Sequence, residues 1–332
     1  MDIVIKNNIL DVILRFENKR IAIIGDLMLD RYLWGSAIRI SPEAPVPVVD
    51  IDQESNRLGG SANVANNIIT LGGIAYPIGL IGNDHNGNII LELMNSDKFI
   101  TDGIIKDPNL PTTVKTRVIA NNQHVVRIDR ENKHTISEKS YQLLFNFIEA
   151  NIKSFDAIIF EDYNKGVITK ELIKNVINLA KKHSIPVTVD PKFDNFFEFV
   201  NVDVFKPNRK EAEEAIGQKI KSDEDLFKVM QSIQRKINCA NLLLTRGEKG
   251  MALMEKNGEI TLISTRARNI VDVSGAGDTV ISTLTMALVS GATPKEAAVI
   301  SNFAAGIVCE EVGVVPIRKD ILINKIQEEL TK

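Results

Sequence analysis

Ile21-Ala22-Ile23-Ile24-Gly25-Asp26 is the stretch that decides the fold. Four apolar residues in succession, without alternation, read as a strand covered on both faces. The glycine and the carboxylate that follow mark its end. The same form returns at residues 157–160, 187–189, 202–205 and 242–245, each a brief apolar run that closes on polar residues. Segments with helical periodicity, 169–183 and 222–237, lie between them. Strands buried on both faces and alternating with helices predict an α/β fold, a doubly wound and mostly parallel sheet. Ligands of such sheets bind beyond the carboxyl ends of the strands. Those ends carry Asp26, Glu161-Asp162, Asp190-Pro191-Lys192, Lys206-Pro207-Asn208 and Thr245-Arg246-Gly247, so the candidate chemistry converges on one edge.

A second stretch, Val273-Ser274-Gly275-Ala276-Gly277-Asp278-Thr279, names the chemistry that this edge could perform. Val280, Leu284, Ala287 and Leu288 follow at helical spacing, and Gly291 stands where the helix would end. Small residues at a helix start present backbone N–H groups that have no intrahelical acceptor, in the favourable end of the helix dipole. That is a site for an anion. Asp278 would stand beside bound phosphate, placed to accept a proton from an attacking hydroxyl, which suggests phosphoryl transfer. A glycine-rich turn capped by an aspartate fits the same residues.

The chain of 332 residues carries 44% hydrophobic and 25% charged residues and a formal charge of -3, the balance of a globular protein with a large core. The charge gives no reason to expect nucleic acid or an anionic membrane as partner. Cys239 and Cys309 sit in apolar, helix-like surroundings and read as core thiols of a reducing compartment. Four scattered histidines offer no zinc spacing. Residues 1–20 carry charges throughout, so they read as neither signal peptide nor membrane span, and a cytoplasmic location is expected. Ile5, Ile9, Ile13 and Phe16 predict an amphipathic N-terminal helix. Two segments break the α/β alternation. Residues 32–51 and 112–129, the latter with strands around an Asn121-Asn122 turn, predict a small β lid over the site. No linker or repeat divides the chain, and a single domain over 1–332 is expected.

With Gly59-Gly60, Asn63, Asn208-Arg209-Lys210-Glu211 and Gly275-Ala276-Gly277-Asp278 in this order, the chain resembles the ribokinase-like (PfkB) carbohydrate kinases. Three further stretches resemble, within them, the D-glycero-β-D-manno-heptose-7-phosphate kinases. They are Gly25-Asp26-Leu27-Met28-Leu29-Asp30-Arg31-Tyr32, Arg39-Ile40-Ser41-Pro42-Glu43-Ala44-Pro45-Val46-Pro47-Val48 and Gly59-Gly60-Ser61-Ala62-Asn63-Val64-Ala65. The resemblance runs over about residues 20–325. Bifunctional members of that group continue into a nucleotidyltransferase domain with a His-x-Gly-His signature. This sequence has none, and a stand-alone kinase or one half of such an enzyme is expected. Ser274 and Glu161 stand where the family often has Thr and Ser, and neither exchange is expected to remove a donor or acceptor that the chemistry needs.

The resemblance implies roles. Asp278 would be the general base, with Gly275, Ala276 and Gly277 supplying amides for the charge on the γ-phosphoryl group of ATP. Asn208 and Glu211 would organise Mg²⁺ through water, although their spacing alone is equally that of a helix cap. Thr245, Arg246, Gly247 and Gly250 would approach the triphosphate. Asn302, with Ala305 and Gly306, would wall the adenine pocket, where the sequence alone gives plain helix packing. Asp26, Asp30, Gly59, Gly60 and Asn63 would hold the sugar. Arg117, Arg127, Lys165 and Lys192, with Arg39, are the candidate cations for a phosphate on the substrate. Asp272 could help to hold a monovalent cation. The partners expected are a sugar phosphate and a second copy of the chain through the lid. Two rivals are a ribokinase-like kinase of an unphosphorylated sugar and a non-catalytic sensor. No Gly-x-x-x-x-Gly-Lys-Ser/Thr loop is present, and no Gly-x-Gly-x-x-Gly follows a strand, which argues against P-loop and dinucleotide chemistry.

Overall fold

The computed structural model describes residues 3–121, 123–132, 136–267 and 270–330. Asn122, the second residue of the expected lid turn, lies outside them, and Asn121 has a left-handed φ of 51°. The apolar run at the start of the chain forms the strand Arg20–Gly25, at the heart of the main sheet. It pairs in parallel with Ile74–Gly82 on one side and Ala157–Glu161 on the other. Ile104–Asp107 extends the first side. Val187–Asp190, Val204–Phe205 and Asn241–Thr245 extend the second, all parallel. The hairpin of Met251–Met254 and Ile260–Ile263 completes a sheet of nine strands among the described residues.

Alternation of side chains along each strand divides the interior into two layers. Ile21, Ile23, Ala157, Ile159 and Leu243 point into one, Ala22, Ile24, Ile158, Phe160 and Leu244 into the other. Helices Ser61–Thr70, Ala276–Val289 and Pro294–Val308 cover the first layer, and Glu138–Asn151, Lys170–Lys182 and Asp223–Ile237 the second. Burying one such Ile or Leu contributes about 1.5–3 kcal/mol, which is why strands without polar residues are held centrally. Helices Lys170–Lys182 and Asp223–Ile237 start on side-chain caps. Thr169 accepts from the Leu172 amide, and Ser222 forms a capping box with Asp225. The N-terminal helix runs over Ile3–Leu14, with Ile9, Ile13 and Phe16 buried. No helix among the described residues is long and apolar enough to cross a membrane.

The lid is larger than residues 32–51 and 112–129. It is a four-stranded sheet in the order Pro47–Gly60, Leu27–Ile40, Thr113–Ala120, Gln123–Arg130. Its long central strand begins two residues after Gly25, and the apolar Leu27-Met28-Leu29 reads in sequence as a continuation of the core strand. Residues 52–58 lack the alternation that marks a strand, and bulges at Trp34/Gly35 and Ala37/Arg39 break the period further. Ile38, Ile40, Ile51, Val126 and Ile128 are exposed on the lid.

Candidate active site

The parallel register carries the carboxyl end of each strand to one edge: Gly25 lies beside Glu161, and Glu161 beside Asp190. Lys206 follows the next strand, and helix Ala276–Val289 starts against the same edge. Gly275 is its N-cap, in the left-handed region at φ 79°, and no side chain caps the amides behind it. A Cβ on Gly275 would stand 3.0 Å from Asn63 Nδ2, so a side chain there would crowd that amide.

Asp278, in the first turn of this helix, is 4% exposed. Its Oδ2 accepts from Asn63 Nδ2 at 2.7 Å and its Oδ1 from the Tyr163 hydroxyl at 2.8 Å. Burial pushes its pKa up to about 6, and the two donors restrain the rise. Asn63 is fixed in turn by Asn67, whose Nδ2 donates to the Asn63 carbonyl at 2.9 Å. Asn63 therefore reaches the Asp278 carboxylate through its Nδ2. Tyr163 received no role from the sequence, although it follows a strand end within Glu161-Asp162-Tyr163-Asn164-Lys165-Gly166, a stretch that shares the resemblance. Burial and the surrounding carboxylates hold its hydroxyl protonated, well above its ordinary range.

Lys206 also escaped assignment. It is 2% exposed, and its Nζ meets Asp190 Oδ2 at 2.7 Å. Burial alone would lower its pKa, but Asp190 and Glu161 raise it, so it stays charged. Lys206, Lys192, Asn208, Arg246, Gly275, Gly277 and Asp278 line one channel of about 580 Å³. Asn208 and Glu211 form a reciprocal capping box at the start of Arg209–Ile216: Asn208 Oδ1 accepts from the Glu211 amide at 2.9 Å, and Glu211 Oε2 from the Asn208 amide at 2.8 Å. Glu211 also receives Lys192. Lys192 thus belongs to this channel, beside the Tyr163 ring, and not to the lid.

The channel continues, through Thr245, Gly247, Val273 and Gly277, into a mostly apolar cavity of about 160 Å³. Gly250, Ala267, Val280, Asn302, Ala305, Gly306 and Cys309 line it, so the structure brings the expected wall residues Asn302, Ala305 and Gly306 to one cavity. Asn302 is held there by the Ser264 carbonyl, to which its Nδ2 donates at 2.7 Å. Arg246 is turned to Asp223 at 3.1 Å. Cys309 is buried, and burial raises its thiol pKa; Cys239, also buried, is pushed up to about 12. Asp272 spends its carboxylate on the Ser274 amide and the Gly313 amide, each at 2.9 Å, tying the glycine-rich turn before Ala276–Val289 to the loop after Cys309.

On the lid side, Asp30 is 4% exposed and paired with Arg117, which also lies 5.3 Å from the centre of the Tyr32 ring. A Cβ on Gly59 would fall 2.4 Å from Asp30 Oδ2, and one on Gly60, at φ 58°, 2.5 Å from the Asp26 carbonyl oxygen. The Asp26 carboxylate accepts from three backbone amides. Its Oδ2 accepts from the Tyr163 and Lys165 amides at 2.9 and 3.1 Å, and its Oδ1 from the Val167 amide at 3.3 Å. Burial, with Asp162 nearby, raises its pKa to about 6. Lys165 pairs with Glu131 at 2.8 Å, and Lys115 reaches the same carboxylate at 3.2 Å. Arg127 is 60% exposed and paired with Asp129, and Arg39 is exposed and paired with Asp50.

A buried carboxylate held by two donors, at an uncapped helix start between an apolar cavity and a basic channel, is equipped to move a proton beside a polyphosphate. The family model described as pfkB family carbohydrate kinase matches residues 18–320. The chain is 43% identical over 291 residues, 88% of its length, to the bifunctional protein HldE of Geobacter sulfurreducens, of which the match covers 59%. It is 40% identical to the bifunctional protein HldE of Helicobacter pylori over 89% of this chain and 64% of that one. The chain thus spans about three fifths of these relatives. Among solved structures, phosphofructokinase-2 from Escherichia coli in complex with potassium superposes with TM-score 0.76 at 19% identity, covering 95% of this chain and 100% of that one. Ribokinase from Arabidopsis thaliana, complexed with ribose and ATP, gives 0.72 at 18%, covering 94% and 99%.

Proposed function

The chain belongs to the pfkB family of carbohydrate kinases, and from that footing we propose that it transfers the γ-phosphoryl group of ATP to O1 of D-glycero-β-D-manno-heptose 7-phosphate. The product is the 1,7-bisphosphate, a precursor for nucleotide-activated heptose. The observation that carries the chemistry is Asp278, buried and oriented by Asn63 and Tyr163 at the uncapped start of Ala276–Val289. The choice of heptose is supported by the run from Arg39 to Val48 and by relatives named HldE.

In this reading the O1–H bond breaks as the O1–phosphorus bond forms, and the proton passes to Asp278. The bond from the γ-phosphorus to the bridging oxygen breaks, and ADP leaves with the electron pair. The Gly275–Gly277 amides and the Lys206 ammonium are set to meet the charge on the transferring group. Mg²⁺, when bound with its waters near Asn208 and Glu211, would shield the phosphates. Asp30 and Arg117 would receive the sugar, and the lid would exclude water. ADP release measured with ATP, Mg²⁺ and a panel of sugars and sugar phosphates tests the reading. Equal use of unphosphorylated sugars would favour the rival sugar kinase, and no turnover with any of them the sensor.

Three expectations accompany it. Asn208→Ala and Glu211→Ala should each raise the Mg²⁺ concentration needed for half-maximal activity, and unchanged titrations in both would reduce the pair to a helix cap. Gly59→Ala should push the Asp30 carboxylate off its place and weaken the sugar by roughly tenfold, the scale of one charge-assisted hydrogen bond. Its KM for ATP should hold, and an unchanged sugar KM would remove Asp30 from the pocket. The exposed apolar residues of the lid should bury against a second copy. Sedimentation should then give a dimer at micromolar concentration that Ile128→Glu disrupts. A wild-type monomer throughout that range would defeat the dimer.

A further inference from the structure

The lid also meets the nucleotide side of the molecule, through Arg57. This residue is half-buried on the lid strand Pro47–Gly60, and its Nη1 donates to the Val312 carbonyl at 3.2 Å and to the Val314 carbonyl at 3.0 Å. Tyr32, on the neighbouring lid strand, lies under that guanidinium at 4.9 Å, and its hydroxyl accepts from the Val314 amide at 3.0 Å. Gly313 sits between the two gripped residues at φ 77°, where a Cβ would fall 2.9 Å from Arg57 Nη1 and 3.1 Å from the Tyr32 ring. Hydrogen bonds from a charged donor are the stronger kind, and the ring beneath the guanidinium holds it in place. The other side of the same loop is held by the cavity wall. The Gly313 amide donates to Asp272, which takes the Ser274 amide as well. The Val271 and Asp272 amides donate to the Cys309 carbonyl at 2.8 and 3.3 Å. Ile270, Val273 and Cys309 line the apolar cavity. One loop is thus gripped by the cavity wall on one side and by the lid on the other.

The wall also has a reason to move. Ile270 and Val273 are 51% and 65% exposed although both line the cavity, and covering apolar surface is favourable. A base seated there would draw the 270–273 segment inward. Asp272, between the two apolar residues, would take Gly313 along, and Arg57 and Tyr32 hold the residues on either side of Gly313. We infer that residues 312–314 are a strut that couples the apolar cavity to the lid, with Arg57 and Tyr32 as its positioning residues, so that nucleotide alone draws the lid down. The inference rests on the reading of the cavity as the nucleotide site, and it holds whichever sugar is the acceptor. Reciprocity then requires that a sugar under the lid tighten the nucleotide by the same factor.

The single tryptophan of the chain reports the strut. Trp34 stacks on Tyr32 at 6.0 Å between ring centres, and it lines neither the cavity nor the channel. ADP titrated into the full chain without sugar, with binding followed in parallel by calorimetry, tests the inference. In the wild type, saturating ADP should shift the Trp34 emission to the blue and weaken its quenching by acrylamide. Arg57→Leu should lose that response at saturating ADP, while its Kd for ADP stays within about fivefold of wild type, the low end of ordinary coupling between sites. Bound ADP with an unchanged Trp34 signal in the wild type would overturn the strut and leave the nucleotide reading standing. A full response in folded Arg57→Leu would overturn it as well. Absence of ADP binding would remove the nucleotide reading and the strut with it. If Arg57→Leu does not fold, Asp272→Ala, which cuts the strut at its other end, decides by the same loss of response.

Discussion

Asp278→Asn should retain the fold and nucleotide binding and lose about two to four orders of magnitude in turnover, the range of a removed general base. Asparagine is close in size, so the amide groups of Asn63 and the Tyr163 hydroxyl still meet a polar side chain. The lost property is the ability to accept a proton from the sugar hydroxyl. The wild-type carboxylate accepts it only when ionised. Because burial raises its pKa to about 6, turnover should climb as pH rises through that value and fall away below it. The variant should lose this acid limb along with the rate. Tyr163→Phe offers a graded companion: removing one donor should shift the limb upward and lower turnover less than Asp278→Asn. Turnover of Asp278→Asn within a few-fold of wild type would take the residue out of the mechanism.

The second large effect concerns the phosphate on the acceptor. Lys165→Ala and Arg117→Ala should each raise the KM for heptose 7-phosphate by roughly ten- to a hundred-fold, because a charge-assisted contact contributes about 1.5–3 kcal/mol. The KM for ATP should change little. Lys165 stands beside the lid and Arg117 on its strand Thr113–Ala120, each with a carboxylate partner, Glu131 and Asp30, which the bound phosphate and hydroxyls would have to share. Lys192→Ala should show the opposite pattern, since its ammonium faces the channel of Asn208 and Arg246. Free heptose should be a poor substrate. If both lid-side variants behave as wild type and free heptose serves equally well, the phosphate-reading claim fails.

The parallel sheet was legible because Ile21–Ile24 and its counterparts are apolar without interruption, a pattern that survives only where both faces are covered. The helix start at Gly275 was legible because glycines and an aspartate before an apolar helix constrain the backbone locally. The lid was read too small, since its strands are long, bulged and polar on part of their length, so their period is not 2. The partners of Asp278 were hidden for a different reason. Asn63 and Tyr163 lie 215 and 115 residues away in sequence, and only the parallel register brings their elements to one edge. Glu161 read as a harmless exchange at a strand end. Its consequence, a third carboxylate against Asp190 and Asp278, exists only in three dimensions.

The lid is rooted where the partners of Asp278 are held. Its central strand leaves the core one residue after Asp26, whose carboxylate binds the loop bearing Tyr163. Its neighbour ends at Gly60, which is also the N-cap of the helix carrying Asn63. The sheet is therefore a lever with its fulcrum at Asp26 and Gly60, and the two donors that aim Asp278 are mounted on either side of that pivot. A rotation that carries the far end of the lid through several ångströms turns these mounts through a small fraction of that distance. If the lid turned about this pivot on enclosing a sugar, as the proposed reading requires, the mounts of Asn63 and Tyr163 would move together, and the proposed proton acceptor would keep both of its donors through the closure.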